Sequence, residues 1–168
     1  MADRRIIGIV AVFLVLSTGA AAFAAFRPGA APPPTGPEAV VPMGGGAKAD
    51  FINKADALCA RATTRIKALT FPTTQLEAVA YVTAGIAITR NLLEDLRALD
   101  APKQDRRELR KVLRGFDRSV GAAESYLAAI RSGNPVTTAQ AERRVARVTI
   151  RANGWARAYG FGACAEGA

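Results

Sequence analysis

Lys103, Arg106, Arg107, Arg110, Lys111, Arg114 and Arg118 follow one another closely, and at 100° per residue they fall within an arc of about 140° on a helix. Arg143, Arg144, Arg147, Arg151 and Arg157 repeat the pattern on a second segment. The chemistry open to such sets is electrostatic, because several cations on one surface attract a multiply charged anion. The whole chain is basic, with 23 Lys+Arg against 14 Asp+Glu and a net charge of +9. Several of these cations stand in the first turns of their expected helices, where the macrodipole disfavours positive charge. Stability alone would not select that placement. Lys103, Arg107, Arg110, Arg114, Arg118, Arg144, Arg147 and Arg151 are therefore the candidate contacts to an anionic partner, either phospholipid head groups or an acidic wall polymer. The competing reading is a solvated face that follows from an Ala/Arg-rich composition.

Other chemistries find little support. The chain has no histidine. Asp56, Glu77, Glu94, Asp95, Glu108 and Glu124 stand beside basic residues or on exposed faces of expected helices. No nucleophile elbow, phosphate loop or paired-acid constellation is present. Glu-x-x-His, which a di-iron bundle needs, is absent. No catalysis and no cofactor are expected, with an unrecognised enzyme as the remaining class. No helix-turn-helix or aromatic-interleaved basic motif points to nucleic acid.

Cys59 and Cys164 have no CxxC partner, and without histidine they cannot complete a Cys/His zinc site. In an exported domain an even cysteine count makes a structural disulfide the default. Two buried free thiols are the alternative.

Helices must position these groups. Apolar residues recur at helical spacing between breaks at Thr70–Thr73, Asp100–Pro102 and Ser132–Pro135. The first helix is expected from about Asp50 to Leu69, with Phe51, Ala55, Leu58, Ala62, Ile66 and Leu69 inward and Cys59 on the margin. The second starts at Thr73 or Thr74, where Thr74-Gln75-Leu76-Glu77 reads as a capping box, and runs to about Leu99. The third starts near Pro102, as a first helical residue, and ends at Gly133. The fourth begins after Thr137 and ends at Gly160, with Val145, Ala152, Trp155 and Tyr159 inward. Short connections make successive helices antiparallel, so the expected fold is all-α, an up-down-up-down four-helix bundle. The second helix is apolar over more than half of its circumference. It is either the central helix or a face for a second protomer or other protein partner.

The N-terminal part gives an address. Arg4 and Arg5 precede an uncharged run from Ile6 to Phe26, long enough to cross a bilayer core of roughly 30 Å. Residues 1–5 are expected in the cytoplasm and residues 6–26 as a transmembrane signal-anchor. Residues 27–48 form a Pro/Gly-rich linker, and 49–168 an extracytoplasmic helical domain on a single-pass cell-membrane protein. Ala22-Phe23-Ala24 also offers a small-x-small site, so cleavage near Ala24 and secretion is the alternative. Apolar character continuing to Phe26 favours the anchor.

Phe51-Ile52-x-x-Ala55-Asp56-Ala57-Leu58-Cys59-Ala60, paired with Tyr159-Gly160-Phe161-x-x-Cys164, resembles a family of small, functionally uncharacterised Ala/Arg-rich helical proteins of high-GC actinobacteria. These are membrane-tethered or secreted and carry one cysteine near each end of the domain. The resemblance implies a shared fold and an extracytoplasmic disulfide. It implies no activity and no ligand.

Overall fold

The computed structural model describes residues 46–166. The expected signal-anchor and all but the end of the expected linker lie outside the described residues. Five helices occupy the described part: α1 (Ala47–Lys67), α2 (Gln75–Ala98), α3 (Arg106–Ser132), α4 (Pro135–Tyr159) and a short α5 (Ala163–Glu166). No strand occurs among the described residues. None of the described helices is long and apolar enough to cross a membrane.

Helix α1 starts earlier than its apolar pattern implies, because the Gly46 carbonyl accepts the N–H groups of Ala49 and Asp50. Phe51, Ala55, Cys59, Ala62 and Ile66 form its buried stripe. Cys59 therefore lies at the centre of the packed face, not on the margin, and Leu58 is the half-buried neighbour.

Helix α2 begins as the sequence indicates. Thr74 Oγ1 accepts the Glu77 N–H at 3.2 Å, and Glu77 Oε2 accepts the N–H groups of Thr73 and Thr74 at 2.7 and 3.1 Å. Bonds from Thr73 hold the Glu77 carboxyl below its usual range. Ile88, Leu92 and Leu96 pack with α1, whereas Val82, Ile86 and Leu93 pack with Val120, Tyr126, Leu127, Ile130 and Val145. Two faces of one helix thus enter two apolar clusters of the same chain. That accounts for most of its broad apolar circumference, although Leu76 in its first turn is exposed.

Two starts differ from expectation, and proline explains both. Pro102 opens a 3-10 turn (Lys103–Asp105) before α3, its carbonyl accepting the Asp105 N–H at 3.0 Å. Pro135, expected as part of a break, is the first residue of α4. Its fixed φ and missing donor suit that position. Asn134 Oδ1 accepts the N–H groups of Val136 and Thr137 at 2.9 and 3.2 Å. The cap expected at Thr137 therefore sits three residues earlier. Gly133 and Gly160 close α3 and α4 with φ of 68° and 112°, in the left-handed region that favours glycine.

The α3–α4 contact is close because Gly115 has no side chain. A Cβ there would stand 2.9 Å from Trp155 Cε3 and 3.2 Å from Ala152 Cβ. Lys111 Nζ lies 5.1 Å from the Trp155 ring centre, across the same contact.

Polar contacts mark the two ends of the helices. At one end Gln75 Nε2 donates to the Ile130 carbonyl at 2.8 Å, and the Thr138 hydroxyl donates to the Ala129 carbonyl at 3.1 Å. These join the start of α2, the end of α3 and the start of α4. At the other end the Tyr159 hydroxyl donates to Asp105 Oδ2 at 3.2 Å, and Lys48 Nζ lies 4.4 Å over the Tyr159 ring.

The Cys59–Cys164 disulfide, with Cα atoms 5.1 Å apart, fastens α5 to α1. Both cysteines are buried. The Asp56 carboxylate accepts the N–H groups of Gly162 and Cys164 at 2.9 and 3.0 Å, so α1 also caps the turn that the bridge secures. Phe51, Tyr159 and Phe161 stack around this junction, with ring centres 5.0 to 6.3 Å apart.

Candidate functional site

The backbone of α3 sets the candidate surface. Its buried residues include Leu109, Val112, Gly115, Val120, Ala122, Tyr126, Leu127 and Ile130. On the 3.6-residue period the opposite side is left to Arg107, Arg110, Arg114 and Arg118, all of them exposed. On α4 the buried line is Val145, Ala152, Ala156 and Tyr159, and Arg144, Arg147 and Arg151 are exposed. Lys103 is exposed on the turn that enters α3. The Lys111–Trp155 contact lies where the two helices meet. Arg114 and Arg118 follow Lys111 by one and two turns, and Arg151 precedes Trp155 by one. Arg114, Arg118 and Arg151 therefore border the same seam.

Electrostatics separates this part of the chain from the rest. From residue 103 to 159 there are thirteen Lys+Arg against five Asp+Glu, whereas from 47 to 100 there are seven against six. Of those five acids, Asp117 and Glu124 pair with Arg97 and Arg90 on α2. Asp105 meets Lys48 and the Tyr159 hydroxyl. The carboxylates on α3 and its entry turn are thus largely engaged toward their neighbours. The ion pairs among the described residues leave all eight candidate cations unpaired.

Not every cation of the two helices belongs to this surface. Arg157 Nη2 reaches the Ala165 carbonyl at 3.5 Å, toward α5. Lys111 covers Trp155. Both are occupied in holding elements together, and no local signal in the sequence separates them from their neighbours.

Tyr126, Glu142 and Tyr159 are among the titratable groups with altered surroundings. Burial, reinforced by Glu142, pushes the Tyr126 phenol well above its ordinary range, and its hydroxyl is buried without a hydrogen-bond partner. Burial also raises the Glu142 carboxyl against the pull of Arg143. Tyr159 is pushed up to about 12, chiefly by burial and then by Asp105. Among the described residues no group of three or more Cys, Asp or Glu converges as a metal site would require. What the arrangement offers chemically is a field of fixed positive charge. No family model, no curated protein and no solved structure matches the chain.

Proposed function

We propose that this chain is a non-catalytic interaction module of the cell envelope, in which α3 and α4 face an anionic partner. On this reading residues 6–26 tether it to the membrane, and the helical domain is extracytoplasmic. The four long helices are read as an up-down-up-down bundle, which the antiparallel meeting of Lys48 with Tyr159 supports. The observation that carries the reading is the segregation of charge: the basic excess belongs to α3, α4 and the turn before them, on exposed side chains without ion pairs.

A chain starting at residue 27 tests this against anionic vesicles and a soluble acidic polymer. Binding should weaken steeply with salt, because exposed charges are screened beyond about 8 Å at physiological ionic strength. Replacing Arg107, Arg110 and Arg114 with Gln should weaken it more than replacing Arg61 and Arg65. Equal binding by both variants, or none by the parent at low salt, would reduce the basic surface to a solvated face.

A further inference from the structure

Four large apolar side chains are strongly exposed among the described residues: Phe71 (47%), Leu76 (80%), Val136 (63%) and Ile150 (62%). Scattered singly on a surface they would need no explanation. Three of them, however, gather at one end of the molecule. Phe71 lies in the connection into α2, Leu76 in the first turn of α2 and Val136 in the first turn of α4. The Gln75–Ile130 and Thr138–Ala129 hydrogen bonds join these segments. Ile150 extends the set along α4, since Val136, Arg143, Arg147 and Ile150 share a stripe about 60° wide.

The charges around this end have one sign in excess. Helix α1 finishes there with Arg65 and Lys67, and α3 with Arg131. The first turn of α4 carries no acidic residue. Glu77 is the acid of the α2 start, and its carboxylate is bound to Thr73 and Thr74. Apolar side chains set among cations are the composition of elements that lie in the interface of an anionic bilayer.

We propose that this end, continued by the outer stripe of α4, docks on an anionic phospholipid surface with Phe71, Leu76 and Val136 entering the interface. The inference rests on the anionic-partner reading and names the bilayer as that partner. An acidic polymer would engage the arginines but would leave the apolar residues uncovered. The tether allows the geometry. Twenty residues from 27 to 46 reach up to about 70 Å, while α3, at 27 residues, is about 40 Å long. A chain anchored at its N-terminus can therefore turn its opposite end back to the same membrane.

The test uses the full chain reconstituted into vesicles whose acyl chains are brominated near the head group, with Leu76→Trp as reporter and the parent, whose one tryptophan is Trp155, as baseline. With phosphatidylglycerol present, the Leu76→Trp emission should be quenched at least twofold more than the parent's. Adding Arg131→Gln, Arg143→Gln and Arg147→Gln, which remove the cations of this end and of the α4 stripe, should reduce that quenching. Quenching at the parent's level would overturn the bilayer contact. If the same reconstituted protein then binds soluble polyphosphate and a variant carrying Arg107→Gln, Arg110→Gln and Arg114→Gln does not, the anionic-partner reading stands without this inference. If neither quenching nor polyphosphate binding is seen, both fall.

Discussion

Asp56 Oδ1 accepts the backbone N–H of Cys164 at 3.0 Å, and Asp56 stands one helical turn before Cys59, the residue to which Cys164 is bonded. A single turn of α1 thus holds the C-terminal turn twice, by a covalent link and by a charged acceptor. Hydrogen bonds to a charged group contribute about 1.5–3 kcal/mol each when well shielded, and these two are partly open to solvent.

We expect Asp56→Ala to lower stability by roughly 1–3 kcal/mol with the disulfide intact. Asp56→Asn, which keeps one acceptor oxygen, should lose less. Denaturant unfolding under non-reducing conditions measures both. Equal losses would mean that the one bond Asn can keep contributes nothing.

Gly115 on one hand, and Gly121 and Gly154 on the other, should respond to alanine in opposite directions. Gly115→Ala drives a methyl group against Trp155 and Ala152, and overpacking of this kind costs about 1–3 kcal/mol. Gly121→Ala and Gly154→Ala meet open space and should each stabilise by up to about 1 kcal/mol through helix propensity. Thermal melting of the three variants checks the order.

The cap of α4 separates two assignments. Asn134→Ala should cost about 1 kcal/mol, because it frees the N–H groups of Val136 and Thr137. Thr137→Ala leaves those bonds in place and should cost clearly less. If Thr137→Ala proved the more damaging, α4 would begin after Thr137.

Alkaline titration should expose Tyr159. Its phenol is raised from 10.0 to about 12 in the folded chain, so the unfolded chain releases that proton first as the pH rises past about 10. The contribution to stability is complete below the unfolded value and is lost as the pH climbs through the folded one. Unfolding free energy should therefore fall between about pH 10 and 12, and less steeply in Tyr159→Phe. Tyr126 acts in the same direction, so Tyr126→Phe should flatten the curve further. A variant curve parallel to the parent's would remove Tyr159 from the account.

What was legible in the sequence was local or strictly periodic. Thr74 and Glu77 are three residues apart, and their box is present as expected. The helical character of all four long segments followed from apolar spacing. The two cysteines, isolated and even in number, suggested their own pairing. Other features depended on partners far along the chain. Asp56 looked like any surface acid because its donors are 106 and 108 residues away. Gly115 gave no periodic signal, since its role lies in a missing atom opposite Trp155. Pro135 was ambiguous by type: proline both breaks helices and starts them, and the preceding Asn134 decided the matter. The exposed end of α2 was hidden in the same way. Leu76 matched the apolar pattern of its helix, but it precedes the first buried residue, Ala78, and so has nothing to pack against.

The bridge between Cys59 and Cys164 spans a sequence separation of 105 residues, which makes most of the helical chain a closed ring. One backbone cut anywhere inside that ring releases no fragment. A protease that nicked the connection at Phe71 or at Asn134 would leave the pieces covalently joined, and the nicked protein would keep its mass apart from one added water. Cleavage would be visible only after a reductant opened the ring. In an environment rich in proteases, damage to a connection would then be a local event, and the pieces would stay together for as long as the ring remained oxidised.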